Sequence, residues 1–454
     1  MLREKVRKSP IAGFIPGVWL ITALLLFSCS IPEDFQTSSS RTESSGHTDF
    51  TASGKYGKVM ILYSAGFNSL SQYLQDDIDE LIEGFVPKTS HDVMLVYSRK
   101  TPGYLKYTTE TPAVLFRIKK NPEGETVCDT LVTYPDDKKS SKAETMNEVL
   151  TYIRDRFPAE SYGMVFSSHA SGWLPKGYYN SPERFESGTM TYSRAFYRSR
   201  PLPYVPLPEE PGMRAVKSVG QDVAVEGTAT VSYEMTMKEF AEAIPMHLDY
   251  LLFDACLMGC VEVAYELRGV ADLVAFSPTE VLAEGFDYTK IASRLLGGSE
   301  PDPKAVCIDF FSQYENDTTG GATITLVDTR KMDSLVSVCK NLFEKYRSAI
   351  IALTPSSVQG YYRFSRYYFF DLEDILLQAG ITETEKSTLE NALSECIVYK
   401  NSTQVFISIY FRTYSGLSMF LPSIMTTYTT KNFTYLKNYY MSEVGWNSAT
   451  ELVR

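Results

Sequence analysis

Short apolar runs alternate with segments of helical spacing along most of this chain, and this alternation restricts the fold more than any other feature. The run KVMILYS at 58–64 is followed by apolar residues at helical spacing through 70–82, and the pattern recurs to residue 351. Strands that are buried on both faces and alternate with helices are typical of a parallel sheet covered by helices on both sides. The sequence therefore predicts an α/β fold, with a mostly parallel sheet flanked by helices on both faces as an α/β/α sandwich. The predicted strands are 58–64, 92–97, 113–118, 130–134, 162–167, 250–253, 272–276 and 322–327, and the predicted helices are 70–82, 143–157, 237–244, 257–267, 305–315 and 331–351.

The chain becomes less regular from about residue 354. We expect a core at 57–353 and a C-terminal α+β part at 354–454 that packs on the core or completes its sheet. The stretch YYRFSRYYFF at 361–370 is crowded with aromatic residues, and such a cluster either stacks on sugars or packs inside the protein. Packing is the more common role of such clusters, and we favour it here. The predicted elements of this part are helices at 371–379, 384–396 and 433–442 and a strand at 405–411.

The composition excludes several classes of protein. Of 454 residues, 44% are hydrophobic and 22% charged, values that are typical of a globular chain and exclude wholesale disorder. The net charge of −11 argues against nucleic acid as a partner, which would need a clustered basic face. Seven scattered cysteines do not make a disulfide scaffold, and four widely separated histidines form no paired zinc motif. We expect a monomer with no cofactor and no bound metal.

The N-terminus has the pattern of a secretory signal. A basic segment at 1–8 precedes an uncharged run at 9–28 that is rich in apolar residues. The run ends in Leu-Phe-Ser-Cys, which resembles a lipobox and implies that Cys29 is diacylated and becomes the mature N-terminus. A transmembrane anchor is the alternative, but Pro16 and Gly17 weaken a 20-residue span.

This pattern predicts how the N-terminal part is organised and where the protein resides. We interpret 1–28 as a lipoprotein signal peptide and 29–56 as the lipidated cysteine and a Ser/Thr-rich tether. Removing the signal peptide takes away four positive charges and one negative charge, which leaves the mature chain at −14. We therefore expect a bacterial lipoprotein of the outer membrane, on its periplasmic or its cell-surface side, that contacts the membrane through its lipid.

Two loops carry the residues that are suited to chemistry. SSHASGW at 167–173 follows the predicted strand 162–167, and FDACLMG at 253–259 follows the strand 250–253. Since ligands bind beyond the carboxyl ends of parallel strands, we expect His169 and Cys256 at the same edge of the sheet. A thiol at the start of a predicted helix has a lowered pKa, and histidine exchanges protons near neutral pH. The pair therefore predicts a Cys/His nucleophilic site.

Each of these residues also has a simpler interpretation. Cys256 is compatible with a small buried apolar residue, and His169 with a hydrogen-bonded loop histidine. Asp254 is compatible with the N-cap of the helix that follows. The combination at two strand ends favours catalysis over these separate roles. Serine-hydrolase and P-loop enzymes are not indicated, because neither G-x-S-x-G nor G-x-x-x-x-G-K-[ST] occurs.

Both loops resemble the blocks of a known peptidase family. YGMVFSSHASGW and FDACLMGCVEVAYEL resemble the His and Cys blocks of the clostripain family of cysteine peptidases, whose fold is related to those of gingipain, legumain and caspase. ILYSAGFNSL, which contains Asn68 and Leu70, resembles the first block of that family, and 273–288 and 414–422 resemble later blocks. The resemblance spans most of 57–425 and implies a caspase-like fold and an endopeptidase acting on proteins or peptides.

The resemblance also implies a role for each matching residue. Cys256 would attack the scissile carbonyl, and His169 would act as base and then protonate the leaving amine. The backbone amides of Cys256 and Ala170 would hold the oxyanion. Asp254 would lie at the base of the substrate pocket and favour Arg or Lys, because a carboxylate pairs with a guanidinium in bidentate fashion.

Other residues of the same blocks leave alternatives open. Glu280 and Glu284 are candidates for the pocket wall. Calcium activates some family members, but no EF-hand motif occurs in this sequence. The Pro-, Arg- and Tyr-rich segment 174–234 is interpreted as a solvated insertion, with a self-cleavage site or lid as the alternative. For the whole chain, the alternatives are a catalytically silent peptidase homologue and a glycan- or protein-binding surface lipoprotein.

Overall fold

Within the residues that the structure describes, a nine-stranded mixed sheet forms the centre of the fold. The computed structural model of the chain describes residues 54–103, 106–187, 202–203, 219–317, 320–363, 366–424 and 433–454, all within one compact unit. The predicted signal peptide, Cys29 and nearly all of the tether lie outside the described residues. The strands are β1 (Tyr56–Gly66), β2 (Val93–Lys100), β3 (Ala113–Lys120), β4 (Thr126–Tyr134), β5 (Ala159–Ser167), β6 (Leu202–Pro203), β7 (Val219–Glu226), β8 (Ala229–Met235), β9 (Leu248–Asp254), β10 (Ala271–Phe276), β11 (Thr323–Asp328), β12 (Phe370–Asp371), β13 (Ile397–Ser402), β14 (Val405–Phe406), β15 (Ile409–Tyr410) and β16 (Ser418–Met419).

The centre of this sheet is parallel and its two sides are antiparallel. The strand order is β13-β11-β10-β9-β5-β1-β2-β3-β4, in which the five strands from β10 to β2 are parallel. β3 and β4 extend one side and β11 and β13 the other in antiparallel pairs. Every residue of β1 is buried, as expected for a strand covered on both faces. The predicted α/β class with a mostly parallel sheet is confirmed.

Helices flank the sheet and cover its apolar strands. The helices Met237–Glu242 and Glu383–Cys396 each begin with a capping box, in which a threonine and a glutamate three positions later satisfy each other's backbone N–H groups. The helices are α1 (Ser71–Glu83), α2 (Ala143–Arg156), α3 (Pro182–Glu186), α4 (Met237–Glu242), α5 (Val261–Glu266), α6 (Tyr288–Leu296), α7 (Pro303–Tyr314), α8 (Met332–Ala352), α9 (Leu372–Gln378), α10 (Glu383–Cys396), α11 (Thr434–Glu443) and α12 (Gly445–Thr450). None of the helices in the described ranges combines the length and the apolar character that crossing a membrane would need.

Two predicted elements differ from the structure. The helix predicted at 257–267 begins only at Val261, because Leu257 adopts a left-handed backbone conformation with φ of 59°. The strand predicted at 405–411 is a hairpin of β14 and β15, since Ile407 has φ of 53° and reverses the chain. The sequence pattern did not predict β13, through which the C-terminal part adds an edge strand to the central sheet.

Candidate active site

The two candidate catalytic residues lie at the same edge of the sheet. β5 and β9 are adjacent and parallel, and Ser167 at the end of β5 is opposite Asp254 at the end of β9. His169 and Cys256 each follow two residues later, beyond strands that lie about 4.8 Å apart. Both side chains are fully buried. The expectation that neighbouring strands bring these two loops together is confirmed.

Contacts from two other elements hold the His169 loop. The Ser69 hydroxyl lies 3.1 Å from Nε2 of the His169 ring. The His169 carbonyl accepts a hydrogen bond of 3.0 Å from the backbone N–H of Gly220 in β7. Ala170, which follows directly, is fully buried. The ring and the backbone of His169 are therefore both fixed, and the sequence pattern did not predict the part played by Ser69.

The Cys256 loop is bonded to the segment that follows β10. The N–H groups of Leu257 and Gly259 donate to the carbonyls of Thr279 and Ser277, both at 2.8 Å. The backbone N–H of Val281 in turn donates to the Cys256 sulfur at 3.3 Å.

These contacts replace the predicted helix N-terminus. α5 begins five positions after Cys256, and its N-cap is Cys260. The prediction that Cys256 lies at a helix N-terminus is therefore wrong. Val281 contacts the sulfur through both of its backbone groups, since its N–H donates to the sulfur at 3.3 Å and its carbonyl accepts from the thiol at 3.9 Å.

Gly172 allows the two loops to pack together. Its φ is +59°, and a Cβ at this position would lie 2.6 Å from the Leu257 carbonyl oxygen. Only glycine fits a left-handed conformation with backbone at that distance. The glycine of the SHASGW block therefore permits the close approach of the His169 and Cys256 loops.

Asp254 is buried at the end of β9 and is not the cap of the helix that follows. Its Oδ2 accepts hydrogen bonds from the hydroxyls of Ser167 at 3.1 Å and Tyr288 at 3.0 Å. The side chain is 1% exposed. The alternative in which Asp254 is a helix N-cap is wrong, because Cys260 occupies that position.

The two candidate wall residues lie in different environments. Glu280 is buried and forms an ion pair with the buried guanidinium of Arg363. Tyr179 lies close to this pair, and burial followed by the charge of Glu280 raises its pKa. Glu284 is exposed to solvent. The structure therefore brings Glu280, but not Glu284, into the buried surroundings of the site.

The C-terminal segments support the Cys256 loop through buried polar contacts. Oε1 of Glu262 accepts hydrogen bonds from the Phe420 N–H at 2.9 Å and from the Tyr440 hydroxyl at 2.8 Å. Trp173 packs edge-on against both rings. The Ser418 N–H donates to the Gly259 carbonyl at 2.9 Å. Burial raises the pKa of Glu262 to about 7.

No metal site is formed by the part of the chain that the structure describes. Within it, no three side chains among His, Cys, Asp and Glu are grouped so as to hold an ion. The expectation of an enzyme without a cofactor or bound metal stays a prediction, and calcium activation stays an alternative that only the family resemblance raises.

The fold and the site define a class of protein, and comparisons with known proteins place the chain in it. The sequence model of the clostripain family (Peptidase_C11) matches residues 62–184 and 212–452, more than half of the chain. The chain belongs to the clostripain family and is a cysteine peptidase.

Individual relatives share its sequence and fold over most of their length. Clostripain from Hathewaya histolytica is 23% identical over an alignment of 470 positions, and this alignment covers 88% of this chain and 81% of that protein. An inactive zymogen C11 protease from Parabacteroides distasonis superimposes with a TM-score of 0.67 at 23% identity, over 87% of this chain and 98% of that one. A secreted C11 cysteine protease from Bacteroides thetaiotaomicron, in complex with an irreversible peptide inhibitor, gives a TM-score of 0.65 at 23% identity, over 87% and 99%.

These findings confirm the family predicted from the His169 and Cys256 blocks. They support a peptidase rather than a glycan- or protein-binding surface lipoprotein.

We predict that Glu262 makes the fold less stable as the pH rises from 4.5 to 7. Its pKa of about 7 in the folded protein lies above its ordinary value of 4.5, so the folded protein holds this proton more tightly than the unfolded chain does. The stabilisation is complete below pH 4.5 and is lost as the pH rises through 7. Glu262→Gln keeps an acceptor oxygen and removes the titration, so its stability relative to the parent should rise by ~3 kcal/mol between pH 4.5 and 8.

Urea unfolding at both pH values measures this difference in a Cys256→Ala background, which prevents self-digestion. If Glu262→Gln changed the free energy of unfolding, relative to the parent, by the same amount at pH 4.5 and at pH 8, the assignment of the titration to Glu262 would be contradicted.

Proposed function

We propose that this chain is an endopeptidase that cleaves after Arg or Lys, with Cys256 as nucleophile and His169 as general base and acid. The observation that carries this proposal is the placement of both side chains two residues beyond neighbouring parallel strands. In addition, the backbone N–H of Val281 donates to the Cys256 sulfur at 3.3 Å, which holds the thiol at the start of its loop.

The chemical steps follow from these two groups. His169 takes the thiol proton, and the thiolate attacks the scissile carbonyl carbon. The tetrahedral oxyanion is held by the backbone amides of Ala170 and Cys256. As the intermediate collapses, the C–N bond breaks and His169 protonates the amine. His169 then takes a proton from water, which hydrolyses the thioester and restores the thiol.

Asp254 is the proposed selector for a basic side chain. Two hydroxyls from Ser167 and Tyr288 bind Oδ2 and fix the carboxylate two residues before the nucleophile. A guanidinium or ammonium group of the substrate would pair with this buried charge. Glu280 is already paired with Arg363, so we assign it to the wall of the pocket.

Substrate entry requires a movement, because Cys256 and His169 are fully buried in this structure. A peptide reaches the thiol only when the groups that cover it separate. The preferred interpretation of 174–234 as a solvated insertion is wrong for its described parts, because Leu174, Tyr178 and most of β7 are buried. A lid or self-cleavage site in this segment stays a proposal, and its residues 188–201 and 204–218 lie outside the described residues.

We propose that the mature protein is anchored by a diacylated Cys29 in the outer membrane. The support is the order of the basic, apolar and Ser/Thr-rich segments at the N-terminus.

We predict that residues 30–454 hydrolyse fluorogenic peptides ending in Arg or Lys and not those ending in Asp or Leu. Cys256→Ala should abolish hydrolysis, and His169→Ala should lower kcat by about 10²–10⁴. Asp254→Asn keeps both hydroxyl contacts but loses the charge, so kcat/KM for the basic peptides should fall roughly 30- to 1,000-fold. Glu300→Gln removes an exposed acid and is the matched control.

Other results of the peptide assay would move the selector role to Glu280, refute the basic pocket or favour a catalytically silent homologue. If Glu280→Gln and not Asp254→Asn removes the basic preference, Glu280 is the selector. Equal cleavage of all four peptides would refute a basic pocket. No cleavage with calcium and reductant present, from a protein that melts cooperatively, would favour a catalytically silent homologue.

We predict that the full chain, expressed in a bacterium with an outer membrane, is recovered in the membrane fraction and carries a lipid of diacylglycerol mass on its N-terminal peptide. Cys29→Ser should abolish the lipid and release the protein into the soluble fraction. An unmodified Cys29 peptide in the wild-type protein would refute the anchor without affecting the peptidase assignment.

A further inference from the structure

Ser69 touches the catalytic histidine, and no sequence motif assigns it a role. Its hydroxyl lies 3.1 Å from Nε2 of His169, although 100 residues separate the two in sequence. Ser69 is half-buried in the turn that follows β1. We infer that Ser69 is a positioning residue for the peptidase reaction, whose oxygen accepts from Nε2–H of His169, orients the ring and leaves Nδ1 to take the thiol proton. This inference rests on the proposed roles of Cys256 and His169.

The turn that carries Ser69 is itself rigidly bonded. The fully buried Asn68 donates from its side-chain amide to the carbonyls of Ala65 at 2.8 Å and Gln221 at 2.9 Å. Its side-chain oxygen accepts from the Leu70 N–H at 2.8 Å. Asn68 therefore connects the end of β1 with β7, and its neighbour Ser69 has a defined position relative to His169.

The other side of the turn is held by a buried charge. The Arg99 guanidinium stacks over the Phe67 ring at 4.0 Å and forms an ion pair with Asp222 of β7, and both charged side chains are fully buried. The Phe67 carbonyl accepts from the Val223 N–H at 2.8 Å. The turn from Phe67 to Leu70 is thus clamped between β7 and the guanidinium, which leaves Ser69 little freedom to move away from the imidazole.

Strands β1 and β7 also hold the His169 loop, through its neighbour Ser168. Ser168 donates to the Ala65 carbonyl at 2.8 Å and accepts from the Gln221 N–H at 3.3 Å. The turn of Ser69 and the loop of His169 are both bonded to backbone groups of residues 220–223 in β7. The distance between the Ser69 hydroxyl and the His169 ring is therefore set by backbone positions and not by long, flexible side chains. A hydrogen bond between two fixed groups loses little entropy when it forms.

The contact has a specific chemical consequence. An imidazole has two nitrogens, and a partner on one sets the role of the other. With the Ser69 oxygen as acceptor, Nε2 carries a proton, so Nδ1 is the nitrogen that takes the proton of the Cys256 thiol. When Nδ1 is protonated, Nε2–H still donates to Ser69, and the hydrogen bond to the charged ring is stronger than that to the neutral ring. Ser69 therefore stabilises the imidazolium that accompanies the thiolate.

The test compares Ser69→Ala with Ser69→Thr in the mature chain, using the Arg or Lys peptide that the wild-type enzyme cleaves. Ser69→Ala should lower kcat by about tenfold with little change in KM, because one hydrogen bond to a charged group is lost and no substrate contact is removed. Loss of imidazolium stabilisation should also move the alkaline limb of the pH profile of kcat/KM down by ~1 pH unit. Ser69→Thr keeps the hydroxyl and should restore both the rate and the profile.

The control is Ser394→Ala, which removes an exposed hydroxyl bonded to the Asn391 carbonyl in α10 and should change neither quantity. Equal melting temperatures of the variants exclude a general loss of structure. An unchanged pH profile in Ser69→Ala, or the same loss of rate in Ser69→Thr, would overturn the positioning role. Either result leaves the peptidase intact, since wild-type activity that is lost in Cys256→Ala tests the proposed function separately.

Discussion

The parallel pairing of β5 with β9 is the interaction on which the rest of the site depends. It places Ser167 opposite Asp254, so the His169 and Cys256 loops begin at the same edge of the sheet. Nothing in the loops alone brings these residues together, because they are 87 positions apart. The pairing is stable because both strands are apolar and covered by helices, so the core and the site have a common physical origin.

Buried polar contacts then convert this placement into a defined geometry. Segments from four distant parts of the chain meet at the two loops: the turn after β1, the segment after β10, β7, and the C-terminal residues around Ser418 and Phe420. Each supplies a hydrogen bond to a buried group, and such groups are costly when they are left unpaired. These segments include the first and the late sequence blocks that resemble the clostripain family, which gives those blocks a structural role.

The sequence was sufficient for the fold class and for the meeting of His169 and Cys256, because both follow from local patterns. Apolar runs show which strands are buried, and strand ends show where loops emerge. It was not sufficient for the start of α5, since the left-handed conformation of Leu257 is imposed by the bonds of its loop to the segment after β10. The contacts of Ser69, Glu262 and Arg363 also escaped prediction, because each joins residues more than 80 positions apart and leaves no local periodicity.

The central claim is that Cys256 is the reactive nucleophile, and covalent labelling tests it most directly. Burial raises the thiol pKa of four other cysteines, Cys260, Cys307, Cys339 and Cys396, so these should react slowly. The mature protein is treated with a thiol-alkylating peptidyl ketone ending in Arg, digested, and analysed by mass spectrometry. The account predicts one adduct, on Cys256, that forms much more slowly in His169→Ala. An adduct on another cysteine, or none on Cys256 in a protein that cleaves Arg peptides, would contradict it.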